Sequence, residues 1–468
     1  MAEPRNEAAP EADSPHAAQP IPLWKGMVLA LCALQIGPAL TMVTGYQLHW
    51  SGANAWVTLA AAALMCCLIG AAINYVARRH AGSGTLLSYV QGVLPHWAVC
   101  IVASTLLLGY VIGPSSMTMW AAAYVSSILL QFGVGAAASP LGVSVLVLLV
   151  AALAGYCAYR GLELSARVSL ALGLISVPVA IGLTILAAVE HGMDVNYAQA
   201  LSEAQWADLA RGTFIALGSF VGFDGVCALA SETDNPNRNV PRMLALTVVL
   251  LGLTNTLGAI FQTPVLLSHA AELEAGQTPT FVLLQAAGLS SIYLVVDTML
   301  CLAELAGMIA WLNLSALIIA AAARDGFLPR PLATVDPRTG SPHNAVILLA
   351  LVSAIIPAIL QALAPQTLLV SMAYVINVLV LYWMVAYALV CAAVIVLHHR
   401  NGERPGVTYF ASLLAIVALA AVLIMQDMQP SDEVYALTNH LGLGLLVIGT
   451  LFLFVSTHRR RDALNVIK

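Results

Sequence analysis

The sequence predicts an all-α integral membrane protein with twelve transmembrane helices, and three observations carry that expectation. Of its 468 residues, 60% are hydrophobic and 9% charged, where a soluble domain carries about 25% charged residues. Mean hydropathy is +0.89. Apolar runs recur along the chain, each long enough to cross about 30 Å of hydrocarbon. The net charge of −5 says less than the placement of the charges.

In chain order, residues 1–24 read as a disordered cytoplasmic tail, rich in Ala, Pro and Glu and without apolar periodicity. The tail lacks the basic segment and short apolar core of a cleaved signal peptide. Spans are expected at 26–47, 55–77, 97–130, 142–159, 166–189, 209–231, 243–267, 284–323, 344–363, 367–398, 408–426 and 438–457. The third and eighth are long enough to tilt or project from the bilayer. The loops between them are too short for a soluble domain. The eight cysteines sit mostly inside apolar runs and serve as small hydrophobes.

Orientation follows from Lys and Arg. With the N-terminus in the cytoplasm, 17 of the 18 basic residues fall on the inside and only Arg211 falls outside. The outer loops hold Glu190, Asp194, Glu203, Asp208, Glu272, Glu274, Asp427, Asp432 and Glu433. An even number of spans in the cytoplasmic membrane, with both termini cytoplasmic, accounts for this asymmetry.

Two spans carry signs of interruption. In the first, Gly37 and Pro38 fall near mid-membrane, and proline removes an N–H and clashes with the preceding turn. In the sixth, Gly218, Gly222 and Gly225 bracket Ser219 and Asp224. Irregular backbone is tolerated at such depth only against protein or a water-filled cavity. Breaks at corresponding positions of two five-span halves point to an inverted repeat around a central site. The halves are 25–190 and 209–398, followed by the last two spans at 407–457 and a cytoplasmic tail at 458–468.

Three acids lie inside spans: Asp224 in the sixth, Asp297 and Glu304 in the eighth. No Lys, Arg or His occupies the middle of a span. An ionised carboxylate there costs roughly 2.5–3.5 kcal/mol even on the lenient insertion scale. Each acid is therefore protonated, hydrated, or paired with a cation from outside the protein. Asp297, Glu304 and Trp311 are spaced by seven and share a helix face, with about 10 Å of axial rise between the two acids. Acids beside an indole suit an ammonium group. Asp297 is expected to serve either ion coupling or the outer mouth.

The stretch GFDGVCALASETDNPNRNVPR, 222–242, resembles the sixth-span signature of the amino acid–polyamine–organocation (APC) permeases. RRHAGSGTLLSY at 78–89, YRGLELSARV at 159–168 and AAARDGFLPRPLATVDPRTGSPHNAV at 321–346 are similar to that family's loops, in the family's order. The resemblance covers nearly the whole chain after the tail and looks closest to putrescine-importer-like members. It implies a LeuT-like five-plus-five inverted repeat with broken spans one and six, two trailing helices and alternating access. The implied substrate site is Gln35, Ile36, Gly37, Pro38 and Ala39 in span one and Ser219, Phe220, Gly222, Phe223 and Asp224 in span six, with Glu304 and Trp311 in span eight. Glu232, Asn235, Pro236, Arg238, Arg324 and Asp325 fall at the implied gate or loops. QIGPAL, 35–40, departs from the family's Gly-Ser-Gly-like break, and Pro38 offers no N–H to a substrate carboxylate.

Charge and resemblance together predict a secondary active carrier of a cationic amine: a polyamine such as putrescine, or a cationic amino acid. The carrier is expected to be proton-coupled, through Asp224 or Glu304, or to work by exchange, with a sodium ion as the other coupling ion. The alternative is a neutral amino acid permease in which these acids carry the coupling proton. An enzyme or a channel is a further alternative, but no histidine lies in the middle of a span, and His80 with Ser83 makes only a weak loop pair. No catalytic residue, metal ligand, cofactor or nucleic acid partner is expected.

Overall fold

The computed structural model describes residues 23–24, 27, 34–79, 85–160, 164–192, 194–324, 326–427 and 433–466, with side chains excepted at 164–170, 228–232, 427 and 458–466. Residues 1–22 of the expected tail, His80, Ser83, the Glu232 side chain and Asp325 lie outside this description.

The described chain is helical throughout, and twelve elements organise it. They are α1 (Ile36–Ser51), α2 (Ala55–Ala77), α3 (His96–Gln131), α4 (Pro140–Tyr159), α5 (Leu164–His191), α6 (Trp206–Ala216), α7 (Pro236–Ser268), α8 (Tyr293–Arg324), α9 (His343–Leu363), α10 (Leu368–Arg400), α11 (Val407–Asp427) and α12 (Glu433–Val466). Among the described residues, ten helical runs are long and apolar enough to cross a membrane; the first, Ile36–Ala77, holds both α1 and α2. The segment beginning with α6 is not one of them, because it breaks into pieces. After α6 come a 3₁₀ turn at Leu217–Phe220 and a second 3₁₀ stretch at Phe223–Glu232. Between them Gly222 sits at φ 88°, which a β-carbon would disfavour.

The first break differs in place from its sequence-based expectation. The chain reverses at Gln35, a non-glycine residue at φ 50°, and α1 starts one residue later. Gly37 and Pro38 therefore occupy the first turn of α1, where proline's missing N–H costs no intrahelical bond. The expected eighth span also divides. The run from 284 breaks at Gly288, φ 68°, leaving a short helix at Pro279–Ala286 ahead of α8. The Asn235-Pro236 pair starts α7, with Asn235 at φ 46° and Arg238 N–H on the Asn235 carbonyl at 2.9 Å.

Successive helices alternate direction. One end of the bundle thus gathers Arg78, Arg79, Arg160, Arg324, Arg330 and Arg400, and the other Glu190, Glu203, Asp208, Glu272 and Glu433. These are called the basic and acidic ends. Side by side, α2 packs along α7, α3 along α8 and α10, and α4 along α9, while α8 also lies on α5. The hydropathic window of α10 is 67% buried, against 22% in α11 and 17% in α12, so the last two helices form the periphery.

At the basic end, α2 is tied to the loop after α10. Arg79 pairs with Glu403 at 3.1 Å, and Tyr75 Oη donates to the same carboxylate at 2.8 Å. The buried His398 ring stacks on Tyr75 with centroids 4.5 Å apart. The Tyr75 hydroxyl foremost, with Asn401 and Arg79, holds the Glu403 carboxyl below the usual range. Asp336, in the loop before α9, is also held low, first by the Arg338 N–H and then by Thr339 and His343.

Candidate functional site

Both breaks open onto one cavity of about 90 Å³ between α1, α3, the 3₁₀ turn after α6, α8 and α10. Gln35 holds the start of α1 in place. Its Nε2 donates to the Glu304 backbone carbonyl at 3.1 Å, and its carboxamide lies so close over Gly307 that a β-carbon there would overlap it. From α8, Glu304 and Trp311 enter the wall. Leu34, Ala39, Met117, Val221, Ile376 and Leu379 supply an apolar lining, with Ser116 and Ser219 as its hydroxyls. Toward the acidic end the cavity is roofed by Tyr46 and Trp120, with ring centroids 6.3 Å apart.

Glu304 sets the chemistry. The residue retains 1% exposure, and its Oε2 has no hydrogen-bond partner. A buried carboxylate oxygen without a partner is costly, so it marks where a donor or a cation belongs. The α1 terminus adds the opposite polarity. Ala39 N–H reaches the Gln35 carbonyl at 2.9 Å, so the amides of Ile36 and Gly37 precede the first intrahelical bond. First-turn amides and the helix dipole favour an anion near a helix start.

An aromatic floor closes the basic side. Trp311, Tyr110 and Trp383 lie with centroids 5.5–6.2 Å apart. Gly109 and Gly113 on α3 seat these indoles: a β-carbon on Gly109 would strike Trp383, and one on Gly113 would lie 2.8 Å from Trp311 Nε1. A β-carbon on Gly222 would lie 3.6 Å from the same Trp311 ring.

The sequence-predicted site residues divide. Gln35, Ala39, Ser219, Glu304 and Trp311 line the cavity, and Gly222 touches its floor. Ile36, Gly37 and Pro38 are buried in the first turn of α1, with Gly37 against Ser176 of α5. Phe220 is turned toward α7 near Gly252, and Phe223 lies 5.3 Å from the Tyr387 ring. Asp224 is outside the cavity and accepts from Tyr387 Oη at 2.7 Å. Asp297 is also outside, fully buried, with Thr278 Oγ1 3.2 Å and Ser127 Oγ 3.4 Å from its Oδ2. The shared face expected of Asp297, Glu304 and Trp311 thus serves two places. Arg238 and Arg324 are exposed at the basic end.

Sequence reasoning missed Tyr387, Tyr110, Trp383, Trp120 and Tyr46. One signal was present, the Gly109-x-x-x-Gly113 pattern on α3. Such a pattern ordinarily marks close helix packing; here it makes room for two indoles. The hydroxyl donors to Asp224 and Asp297 were also missed, because an uncharged hydroxyl leaves no mark in the charge pattern.

The sequence profile described as "Amino acid permease" matches residues 23–450. The chain is 24% identical to the branched-chain amino acid permease BcaP of Bacillus subtilis (strain 168) over 387 residues, 79% of each chain. It is 25% identical to the aromatic amino acid transport protein AroP of Escherichia coli (strain K12) over 248 residues, 51% of this chain and 52% of that one. The APC resemblance read from the loops therefore holds over most of the sequence. A match of that extent decides the family: the chain belongs to the amino acid permeases, multi-pass membrane transporters, and is not an enzyme.

Proposed function

We propose that this protein is a secondary active permease working by alternating access, and that its cavity takes an amino acid with an apolar side chain. The unpartnered Glu304 Oε2 carries the reading. A substrate ammonium donates to it and cancels its charge, while the substrate carboxylate meets the first-turn amides of α1 at Ile36 and Gly37. The side chain then rests among Met117, Val221, Ile376 and Leu379. Pro38 leaves those two amides in place, which weakens the sequence argument against a carboxylate. The names of the relatives, a branched-chain and an aromatic amino acid carrier, point the same way.

Occlusion supports alternating access. Tyr46 and Trp120 stand over the cavity, and the Trp311 cluster lies under it, backed by the Asp224–Tyr387 bond. The twelve-span, five-plus-five arrangement draws support from the breaks before α1 and after α6 and from the pairing of α2 with α7, α3 with α8 and α4 with α9. The basic end faces the cytoplasm of a bacterial-type plasma membrane in this reading, by the positive-inside rule. Coupling runs through a proton, or a sodium ion, that neutralises Glu304 when the ammonium is absent.

A second reading keeps the cationic substrate, an arginine-like amino acid or a putrescine-like diamine. Pro38 favours it by withdrawing one amide, while the presence of a single acid in the cavity opposes a doubly charged guest. Uptake of labelled leucine, phenylalanine, arginine and putrescine into proteoliposomes, with and without a pH or sodium gradient, separates the two. Leucine or phenylalanine entering while both cations are ignored is the expected result. Arginine or putrescine entering alone would replace the first reading with the second.

A further inference from the structure

Asp297 is fully buried and takes no part in the cavity, yet its contacts lead to the cavity roof. Thr278 Oγ1 donates to its Oδ2 at 3.2 Å. That same hydroxyl oxygen accepts the Phe281 N–H at 3.2 Å and so caps the short helix Pro279–Ala286. One side chain thereby gives its proton to an acid of α8 and its lone pair to the helix start. Ser127 of α3, which donates to Gln277 Oε1 at 2.9 Å, accepts the Thr278 N–H at 3.4 Å from the other side. The positive end of the short helix dipole also lies toward the carboxylate.

The next residue, Pro279, carries the contact to α1. Gly45 receives the proline ring so closely that a β-carbon on Gly45 would overlap it. Gly45 directly precedes Tyr46, the roof of the cavity. The path is Asp297, Thr278, Pro279, Gly45 and Tyr46.

We infer that Asp297 is a positioning residue for an outer lid: it holds the helix Pro279–Ala286 down on α1, so that Tyr46 closes the cavity from the acidic end. This rests on the alternating-access reading but on no particular substrate. Asp297 takes no part in binding. Its carboxylate is spent on the cap, and releasing Thr278 frees the lid and the outer half of α1 together.

The test uses Met117→Cys, on the cavity wall, as a reporter in the full chain in orientation-sorted proteoliposomes. A membrane-impermeant methanethiosulfonate is added at the acidic end, and labelling of protein without the reporter is subtracted. Asp297→Ala is expected to raise the labelling rate about tenfold, the scale of one lost buried hydrogen bond. Thr278→Val raises it as well, and Asp297→Asn, which still accepts the Thr278 proton, stays near the reporter alone. Should Asp297→Ala fail to fold, Thr278→Val carries the decision. Unchanged labelling in both, or equal rises from both ends, would overturn the lid role in favour of plain packing. No substrate is present, so an error in the substrate class leaves this outcome unaffected.

Discussion

Glu304 and Trp311 line the cavity from one face of α8, while Asp297, on the same sequence register, is absorbed by hydroxyls nearer the acidic end. The three looked equivalent by spacing because a heptad reports a face and nothing about depth. Replacing Glu304 by Gln keeps the volume and removes the charge. Transport is expected to fall by at least about tenfold, since hydrogen bonds to charged groups contribute about 1.5–3 kcal/mol, while the melting temperature in detergent holds or rises. A melting temperature that fell along with transport would assign Glu304 a packing role. Gly113 offers a matching test of size. A β-carbon there meets the indole of Trp311, and overpacking of this kind costs about 1–3 kcal/mol. Gly113→Ala is expected to depress phenylalanine uptake more than alanine uptake, read as the ratio of kcat/KM values.

Among the elements, the start of α1 shows how a break is held open. Gln35 sits at positive φ, where non-glycine residues are uncommon. Its amide is fixed by the Glu304 carbonyl and by the space above Gly307. Gly307→Ala should therefore expel the Gln35 side chain and abolish uptake. Adding Gln35→Gly, which removes the side chain and relaxes the φ, should restore much of it. A double-mutant cycle that proved additive would mean that the two residues act independently. The sixth span has a different arrangement. Asp224 was read as a cavity acid, but the left-handed turn at Gly222 carries it past Trp311 to Tyr387. A carboxylate two residues beyond a reversal cannot be assigned a direction from linear order.

For the molecule as a whole, the basic end is held by the cluster of Arg79, Tyr75, His398 and Glu403, which joins α2 to the loop between α10 and α11. The Glu403 carboxyl is depressed in the fold, so its contribution is present above the unfolded value of about 4.3 and is lost as pH falls through the folded value. Acidification from about pH 5 to about pH 3 should accordingly lower the melting temperature of the natural protein more than that of Glu403→Gln, measured in detergent. Parallel curves would remove this cluster from the acid sensitivity of the molecule.

Much of the architecture was legible before any coordinates. Solvent dictates it: in hydrocarbon every backbone group must be satisfied within its own segment, so apolar length alone marks helices. Basic residues marked one end of the bundle for a similar reason, since each charge must reach water. The two interrupted segments and the acid–indole pair of α8 were also readable, because glycine, proline and unpaired carboxylates are expensive at depth. What surrounds those acids belonged to tertiary structure alone. Tyr387 reaches Asp224 across 163 residues, and Thr278 and Ser127 reach Asp297 from two other elements. Hydroxyls are common in apolar helices and carry no charge signature, so nothing in linear order marks which of them will meet a carboxylate. Only packing left Glu304 Oε2 without such a partner, and the proposed binding role of this one acid among three similar ones rests on that difference.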